Sequence, residues 1–294
     1  MRLHLVDGTW ELFRAHFSKR PPHLSPGGKD LKAAVGVVQS LMGLLDDRNE
    51  QVTHLGVAFD NPIRSFRNDL FDGYKTEEGV PPELLAQFDD VEEAVDALGV
   101  VVWRMGEFEA DDALATAARR GAGDLRISQV RILTPDKDLG QCLRGERVVQ
   151  VDRMRNRLIT EASQLKDKGL QAASVPDFLA LVGDTSDGIP GLDGWGEKGT
   201  AQVLASYPHL EEIPLAARDW KNPPRAAEKM AASLAQGLEP AKLYRNLATL
   251  RLDVPLPQKL EQLEFKGVPR GKFDAWCNKV GAKLQPRVRR WAAL

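Results

Sequence analysis

The sequence predicts an α/β protein with a mainly parallel, twisted sheet flanked by helices and a helical domain after it. Two observations support this fold class. Short β-branched runs alternate with longer amphipathic stretches through the first half of the chain, and strand signals cease from about Val175. We therefore expect an α/β domain in residues 1–174 and a helical domain in residues 175–294.

Each predicted element is identified by its hydrophobic periodicity. The predicted strands are Leu3–Val6, His54–Phe59, Val100–Trp103, Val130–Leu133 and Val148–Val151. The predicted helices are Lys32–Leu45, Leu84–Leu98, Asp111–Ala118, Phe178–Val182, Thr200–Ser206, Pro224–Leu234 and Ala241–Leu247. The connection 62–82 fits the alternation least well, because it mixes basic and aromatic side chains with glycine and proline. A loop of that length inside a compact domain is usually functional or mobile.

The composition excludes several classes of protein. Of the 294 residues, 43% are hydrophobic and 28% are charged, which is enough for a packed core. No apolar run approaches the roughly 18 residues of a membrane helix, and Asp7 interrupts the stretch where a signal peptide would be apolar. Cys142 and Cys277 lack the spacing of a zinc site. We expect a cytoplasmic protein with reduced thiols and no membrane partner.

Charge is distributed unevenly along the chain. The net charge of −2 does not by itself favour nucleic-acid binding. After Leu263, however, basic residues predominate, namely Lys266, Arg270, Lys272, Lys279, Lys283, Arg287, Arg289 and Arg290. This tail is either a duplex-binding surface or a solvated helix face.

Acidic residues follow the predicted strands. They are Asp7, Asp60, the group Glu109, Asp111 and Asp112, and the pair Asp136 and Asp138. Because the carboxyl ends of parallel strands share one edge of a sheet, we expect these side chains to lie close together. Asp184 and Asp187 have the i, i+3 spacing that could place them on one face of a helical turn. Each residue alone has a structural explanation as a helix cap, a turn former or a partner of the helix macrodipole.

Together, these nine carboxylates indicate a metal centre. Like charges so close would raise one another's pKa unless cations neutralised them. A cluster of oxygen ligands without histidine or cysteine favours Mg²⁺ or Mn²⁺ over zinc. Two such ions about 3.5–4 Å apart can hold both the attacking and the leaving oxygen of a phosphoryl displacement. The pattern therefore predicts hydrolysis of a phosphodiester.

A glycine-rich turn follows the last two carboxylates. In residues 189–200, Gly191, Gly194 and Gly196 allow close approach of the backbone to a ligand, and Lys198 and Thr200 stand at the start of the next helix. This pattern is typical of a helix–hairpin–helix, which holds duplex DNA by its phosphates without contacting bases. An ordinary helical corner with glycine C-caps is the alternative. The position directly after the acidic pair favours DNA binding.

Several segments resemble the 5′-nuclease or flap endonuclease family, especially the N-terminal 5′→3′ exonuclease domain of bacterial DNA polymerase I. The segments are Leu5–Gly8, Val57–Asp60, Phe108–Asp112, Thr134–Leu139, Gly183–Gly191 and Asn246–Leu256. The resemblance covers essentially the whole chain and implies a PIN-like nuclease core, which we expect to stand alone without a polymerase domain. It also implies a helical arch formed by residues 62–82.

The resemblance assigns roles to individual residues. It implies a first metal site at Asp7, Asp60, Glu109 and Asp111, with Asp112 nearby, and a second at Asp136, Asp138, Asp184 and Asp187. It further implies a K⁺ ion at the hairpin near Leu192 and Trp195. In the arch, Arg67 and Lys75 would contact the scissile phosphate, Tyr74 would stack on a base and Arg64 would bind DNA. The chain departs from the family pattern after Lys75, where Thr76, Glu77 and Glu78 replace an expected basic residue.

The sequence therefore predicts a monomeric, Mg²⁺- or Mn²⁺-dependent exonuclease and flap endonuclease of DNA replication and repair. Its expected partners are DNA with a 5′ flap, nick or end and RNA–DNA hybrids, in association with the bacterial nucleoid. Two alternatives remain at this point, a non-catalytic protein that binds DNA junctions and a ribonuclease of the PIN class. The complete acid set disfavours the first, and the glycine hairpin disfavours the second.

Overall fold

The computed structural model describes residues 1–287 and 291–292, and these residues divide into two units. Unit 1 contains Met1–Ile63, Glu77–Thr134 and the described part of Leu252–Leu294. Unit 2 contains Arg64–Thr76 and Pro135–Arg251. This division is not the sequence-continuous one predicted at residue 174.

The strands and helices are numbered in chain order. The strands are β1 (Arg2–Asp7), β2 (His54–Asp60), β3 (Val101–Met105), β4 (Gln129–Leu133), β5 (Val148–Asp152) and β6 (Arg157–Ile159). The helices are α1 (Gly8–His16), α2 (Lys32–Asp46), α3 (Arg67–Leu70), α4 (Pro82–Leu85), α5 (Phe88–Ala97), α6 (Ala110–Gly123), α7 (Glu161–Lys168), α8 (Val175–Val182), α9 (Glu197–Leu204), α10 (Ala227–Ala248) and α11 (Arg270–Val280).

The sheet of unit 1 is parallel, as predicted. Its strands lie in the order β3-β2-β1-β4. Both β1 and β2 are buried along almost their whole length, which explains why they are continuous apolar runs rather than alternating ones. In the register of the sheet, Asp7 lies beside Ala58 and Asp60 beside Met105. The two carboxylates therefore stand at the same edge, at the carboxyl ends of their strands.

A C-terminal strap, residues 252–265, runs over unit 1. The backbone N–H of Val254 donates to the Thr116 hydroxyl at 3.2 Å, and the Arg120 guanidinium donates to the carbonyls of Val254 and Leu256 at 2.9 and 3.0 Å. Thr116 and Arg120 belong to α6, so the strap is bound to the helix that begins among the acidic residues. These hydrogen bonds hold the middle and the C-terminal part of α6.

Part of the basic tail is paired with acidic residues in unit 1. Lys272 contacts Asp96 at 2.6 Å, and Lys279 contacts Glu93 at 2.5 Å. Both lysines belong to α11 and both pairs are exposed, as on a solvated helix face. Arg289 and Arg290, also expected to be part of the tail, lie outside the described residues.

Unit 2 combines a β-hairpin with a helical core. β5 and β6 pair antiparallel, and α8, α9 and α10 enclose buried apolar side chains, among them Leu179, Leu204 and Leu234. The two helices predicted at 224–234 and 241–247 are joined in α10, which is kinked where Gly237 leaves helical geometry shortly before Pro240. The kink explains why the sequence pattern appeared as two helices.

The structure corrects the prediction for residues 62–82. Instead of a helical arch, this segment contains the four-residue α3 followed by turns, and α4 begins at its end. Gly73, Gly79 and Pro81 interrupt any longer helix because glycine weakens helices and proline lacks an amide donor.

Among the described residues, no helix is both long and apolar enough to cross a membrane.

Candidate active site

The first carboxylate set (Asp7, Asp60, Glu109, Asp111 and Asp112) belongs to unit 1. Asp7 caps α1: one carboxylate oxygen accepts the Trp10 amide at 2.8 Å, and the other accepts the Thr134 hydroxyl at 2.8 Å. The Asp60 carboxylate accepts the Ala110 amide at 2.7 Å. That hydrogen bond places Asp60 at the first turn of α6, beside the remaining members of the set.

The acids at the start of α6 form a capping box. The backbone N–H of Glu109 donates to Asp112 at 3.0 Å, and the Glu109 side chain accepts from the backbone of Asp112. Asp112 is fully buried, whereas Asp111 is half-buried in the same turn. Helix capping, the structural explanation offered for these acids, is therefore what the structure shows for Glu109 and Asp112. No three carboxylates of this first set, all of which lie among the described residues, have ligand oxygens within 4.8 Å of one another.

The second carboxylate set (Asp136, Asp138, Asp184 and Asp187) belongs to unit 2. Asp138 opens a 3₁₀ turn at Asp138–Cys142, and Asp184 and Asp187 lie in the loop after α8. Asp138, Asp184 and Asp187 each have a carboxylate oxygen within 4.8 Å of the others. Asp136 is exposed and accepts the Asp138 amide at 2.9 Å. The structure thus brings Asp138 beside Asp184 and Asp187, which lie 46 and 49 positions further along the chain.

Burial and mutual repulsion govern the electrostatics of the second set. Burial, and then the charges of Asp136, Asp187 and Asp184, hold the pKa of Asp138 well above its usual range. Asp138 is 5% exposed, and its Oδ1 atom has no hydrogen-bond donor in the described structure. A buried oxygen without a partner is costly in a finished protein interior.

Asp184 has the opposite shift, because donors surround it. Burial raises the pKa of Asp184, but hydrogen bonds from Ser186 and Lys137 outweigh burial and leave the pKa below its usual value. The Lys137 ammonium lies 3.0 Å from Asp184 Oδ2. Burial lowers the pKa of Lys137, and the hydrogen bond to Asp184 more than compensates, so the net pKa is raised. Both partners of this pair therefore remain charged.

The residues of the second set fit a divalent cation. All the potential ligands are carboxylate oxygens, which suit hard cations such as Mg²⁺ or Mn²⁺. The orphaned Oδ1 of Asp138 and the repulsion among its neighbours are both relieved by a positive ion between the carboxylates. The chemistry of this donor set is that of a metal site.

The segment 64–76 supplies contacts to Asp187. The Lys75 ammonium lies 3.1 Å from Asp187 Oδ1, the Lys75 amide donates to the Asp187 carbonyl at 3.1 Å, and the Tyr74 hydroxyl donates to the carboxylate at 3.4 Å. The carbonyl of Gly73 occupies the space where a side chain on Gly188 would stand. Only glycine therefore fits at that position, whose φ is +74°.

Two expectations for this segment are wrong in the structure. The Tyr74 ring is 3% exposed and packs in the core of unit 2, so it does not present a face for base stacking. Arg67 is 1% exposed, and its guanidinium donates to the carbonyls of Leu247 and Thr249 at 2.7 and 3.1 Å. Arg67 joins two parts of unit 2 and does not reach out for a phosphate. Arg64 is exposed and pairs with Asp69 at 2.7 Å.

The glycine hairpin has the predicted turns, but Thr200 has a different role from the one expected. Gly191 and Gly194 have φ values of +72° and +81°, and Gly191 packs against the backbone at the end of α8. Gly196 is the N-cap of α9, and Lys198 is exposed on its first turn. Thr200, expected to bind DNA, is instead fully buried, and its hydroxyl donates to the Gly196 carbonyl at 2.9 Å.

The carbonyl proposed for a K⁺ ion is part of the hairpin's own hydrogen bonding. The Leu192 carbonyl accepts the Trp195 amide at 3.2 Å, which leaves one lone pair of that oxygen. Trp195 is buried, and its indole donates to the Met230 carbonyl at 3.0 Å. The Trp195 side chain therefore anchors the hairpin to α10.

Sequence reasoning missed four polar residues that hold the acids in place. Thr9 accepts the Asp60 amide at 2.8 Å, Thr134 donates to Asp7, and Ser186 and Lys137 donate to Asp184. Position alone could have identified two of them: Thr134 directly follows β4, and Lys137 stands between Asp136 and Asp138. Of the other two, Thr9 lies in the first turn of α1 and Ser186 in the loop after α8.

The chain matches two family models in succession. Residues 2–169 match the 5′-3′ exonuclease, N-terminal resolvase-like domain, and residues 170–270 match the 5′-3′ exonuclease, C-terminal SAM fold. The DNA polymerase I of Rhizobium leguminosarum is 35% identical over 267 residues, which cover 89% of this chain and 26% of that protein. The 5′-3′ exonuclease of Aquifex aeolicus is 30% identical over 280 residues, which cover 90% of this chain and 93% of that protein.

Solved structures share the fold. The T5 5′-exonuclease with bound divalent zinc ions aligns with a TM-score of 0.62 at 20% identity, covering 84% of this chain and 89% of that one. The catalytic core of Rad2 in complex with DNA substrate aligns with a TM-score of 0.57 at 13% identity, covering 95% and 88%. The chain thus spans about a quarter of the polymerase it matches and nearly all of the Aquifex exonuclease. With family models over most of its length and an acid set in each unit, the chain belongs to the 5′-3′ exonuclease family.

Proposed function

We propose that this protein is a structure-specific 5′ nuclease that hydrolyses DNA phosphodiesters near 5′ flaps or ends. The observation that carries the proposal is the triad Asp138, Asp184 and Asp187, an all-oxygen group with an unsatisfied buried oxygen, in a member of the 5′-3′ exonuclease family. The relatives support the substrate class, since the T5 enzyme and Rad2 include DNA-bound forms. Residues 1–174 would supply the catalytic core and residues 175–294 the duplex-binding domain.

Two divalent ions would be held by this chain's own carboxylates. Asp7, Asp60, Glu109 and Asp111 would form one site, assisted by Asp112, and the second carboxylate set would form the other. When bound, Mg²⁺ or Mn²⁺ supplies charge neutralisation and activation of the attacking water. The hydrogen bonds to Asp7 and Asp60 hold these ligands in fixed orientations, as the partners of good metal ligands do.

Lys75 is the cation we assign to the scissile phosphate. Its ammonium contacts Asp187 and is half-buried, so it lies at the second carboxylate set without being locked in the core. A positive group there stabilises the charge that develops on the phosphate oxygens. Arg64 is exposed and available for the 5′ strand, whereas Glu77 and Glu78 replace a basic residue and weaken attraction to phosphate.

The hairpin would hold the duplex. The N-terminus of α9 presents backbone amides next to the exposed Lys198, a combination that attracts phosphate. Gly191, Gly194 and Gly196 shape this turn, and the carbonyls of Leu192 and Trp195 would hold a K⁺ ion, which would supply positive charge toward the DNA backbone. We propose that a monomer acts in replication or repair and accepts flaps, nicks, ends and RNA–DNA hybrids.

The test uses the full chain and labelled oligonucleotides. Flapped, nicked and gapped DNA are incubated with Mg²⁺, with Mn²⁺ or with EDTA, and the 5′ products are sized on a gel. We expect cleavage near the junction in both metals and none in EDTA. The Asp184→Ala variant should lose at least about 100-fold of this activity while it retains its circular dichroism spectrum.

The same assay separates the alternatives. Tight binding to flaps without cleavage in either metal would identify a junction-binding protein instead. Cleavage of an RNA flap with no cleavage of the matched DNA flap would identify a ribonuclease. Unchanged turnover by the Asp184→Ala variant would remove the second carboxylate set from the mechanism.

A further inference from the structure

Lys137 stands inside the second carboxylate set without being one of its acids. It lies between Asp136 and Asp138 in the chain, and its ammonium reaches across to Asp184 Oδ2 at 3.0 Å. The Lys137 side chain is 47% exposed, whereas that of Asp184 is 4% exposed. The exposed partner of this pair can leave, and the buried partner cannot.

Both carboxylate oxygens of Asp184 have donors. Oδ1 accepts the Ser186 amide at 2.9 Å and the Ser186 hydroxyl, and Oδ2 accepts Lys137. The Ser186 donors belong to the same loop and are fixed by its backbone. A cation that binds Asp184 through Oδ2 therefore competes with the Lys137 ammonium, because two positive charges on one carboxylate oxygen repel each other.

Lys75 has the corresponding position at Asp187, which its ammonium contacts at 3.1 Å. Two ammonium groups thus neutralise two of the three carboxylates that lie within 4.8 Å of one another. Without these groups, the negative charges of the cluster would repel one another. The lysines stabilise the carboxylate cluster of the protein alone.

We propose that Lys137 is a built-in counter-ion that holds the ligand position of Asp184 until a divalent cation displaces it, and that it thereby sets the affinity of the second metal site. The inference rests on the proposed function, because it takes the second carboxylate set to be a metal site. Displacement costs the Lys137–Asp184 ion pair and brings a cation close to an ammonium group. Both effects weaken metal binding, so Lys137 tunes the site to a higher concentration of metal.

The experiment measures Mn²⁺ binding by calorimetry in the absence of DNA. The protein carries Asp111→Asn, which weakens metal binding by the first carboxylate set. A double variant that also carries Asp187→Asn is titrated in parallel, and the difference between the two heats of binding is assigned to the second set. Lys137→Met in this background should bind Mn²⁺ about tenfold more tightly, since a half-exposed ion pair and one like-charge repulsion are removed. Lys137→Arg keeps the charge and should remain within about threefold of the parent.

Lys242→Met is the matched control. Lys242 forms an exposed ion pair with Glu239 at 2.7 Å in α10 of the same unit, outside the carboxylate cluster. Its loss should leave the Mn²⁺ affinity unchanged. A second readout is thermal melting: the rise in melting temperature on replacing EDTA with Mn²⁺ should be larger for Lys137→Met than for the parent.

The outcomes distinguish the two proposals. Equal or weaker Mn²⁺ binding by Lys137→Met, with normal binding by the parent, overturns the counter-ion role alone. Absence of Mn²⁺ binding by the parent, together with no cleavage of flap DNA by the natural chain, overturns the proposed function and with it this inference. Tighter binding by both Lys137→Met and Lys242→Met would show a general charge effect and would also overturn the inference.

Discussion

The two carboxylate sets are held by different kinds of donor. In unit 1, a helix amide and the Thr134 hydroxyl bind Asp7, and the first amide of α6 binds Asp60. In unit 2, lysine ammonium groups bind Asp184 and Asp187 in addition to the neutral donors Ser186 and Tyr74. Backbone amides are fixed by secondary structure, whereas lysine side chains can move away. The first set is therefore preorganised, and the second is balanced by charges that can be exchanged.

The difference has an energetic consequence. The carboxylates of the first set contribute to folding because they cap helices. The second set brings three carboxylates within 4.8 Å and leaves an oxygen of Asp138 without a donor, which opposes folding. A single kind of residue thus stabilises one unit and strains the other. The strain is located where metal chemistry is proposed.

The largest expected effect comes from Asp138→Asn, which tests this contrast directly. We expect cleavage of flap DNA to fall by about 1000-fold, equivalent to ~4 kcal/mol of transition-state stabilisation. At the same time the unfolding free energy in EDTA should rise by roughly 1 kcal/mol, because a buried like charge is removed. Gel assays and urea denaturation measure the two quantities.

Asp60→Ala, in the first set, is expected to change stability in the direction opposite to Asp138→Asn. It should lower both cleavage and stability, because the first amide of α6 loses its acceptor. Asp167→Asn, at an exposed ion pair with Arg157, is the control and should change neither. If Asp138→Asn proved less stable than the natural chain, the contrast between the two sets would be lost.

Arg67→Ala should give the second largest effect, and it shows that not every cation of unit 2 is exchangeable. Arg67 is buried and satisfies the carbonyls of Leu247 and Thr249. Its removal leaves these acceptors without a donor, and we expect the unfolding free energy to fall by about 2–4 kcal/mol. Arg64→Ala, at an exposed pair, should stay within about 0.5 kcal/mol. If the Arg67→Ala protein were stable but inactive, the result would support the contact between Arg67 and the scissile phosphate that the sequence predicted.

The third prediction concerns the fixed donors of the first set. Thr134→Val removes the hydroxyl that donates to Asp7 while keeping the size of the side chain. We expect the rate of flap DNA cleavage at limiting Mg²⁺ to fall about tenfold, because the Asp7 carboxylate loses a hydrogen bond that fixes its orientation. Thr249→Val, which removes a hydroxyl bonded to the Arg245 carbonyl, is the matched control. Equal rates for both variants would mean that the orientation of Asp7 does not depend on Thr134.

The smallest effect is expected at an ion pair of unit 2 away from both sets. Hydrogen bonds from Arg245 lower the pKa of Glu211 from 4.5 to about 2. The pair therefore stabilises the fold above pH about 4.5, and this contribution is lost as the pH falls toward 2. Because Glu211 is half-exposed, we expect no more than about 1 kcal/mol.

Urea denaturation of Glu211→Gln and the natural chain measures this contribution. The natural chain should exceed Glu211→Gln in unfolding free energy by the largest amount at pH 6, and this difference should decrease toward pH 3. A difference that grew on acidification would contradict the assigned direction of the pKa shift.

Periodicity in the sequence predicted the parallel sheet because strands buried on both faces are continuous apolar runs. It also placed Asp7 and Asp60 correctly, since the carboxyl end of a strand is a topological position rather than a matter of side-chain packing. The roles of Arg67, Tyr74 and Thr200 were wrong for the opposite reason. Basic, aromatic and hydroxyl residues look alike in sequence whether they face solvent or fill a core, and here all three are buried.

Polar elements were missed for a related reason. The strand β6 is largely exposed and only three residues long, and α7 has a single buried residue, so neither carries an apolar pattern. The position of Lys137 between two acidic residues is visible in the sequence. Its ion pair with Asp184 could not be predicted, because Asp184 is 47 positions away in the chain. Long-range pairing of side chains depends on loop geometry that no local pattern encodes.

The bonds of Arg67 connect residues 180 and 182 positions apart. During synthesis on the ribosome, the guanidinium emerges long before its acceptors exist, so these bonds cannot form until the chain has grown past Thr249. Such a late closure slows the search for the native state. It also means that a nascent chain stopped before α10 would leave Arg67 without its two acceptors, so the segment that contacts Asp187 would lack this anchor in the growing polypeptide.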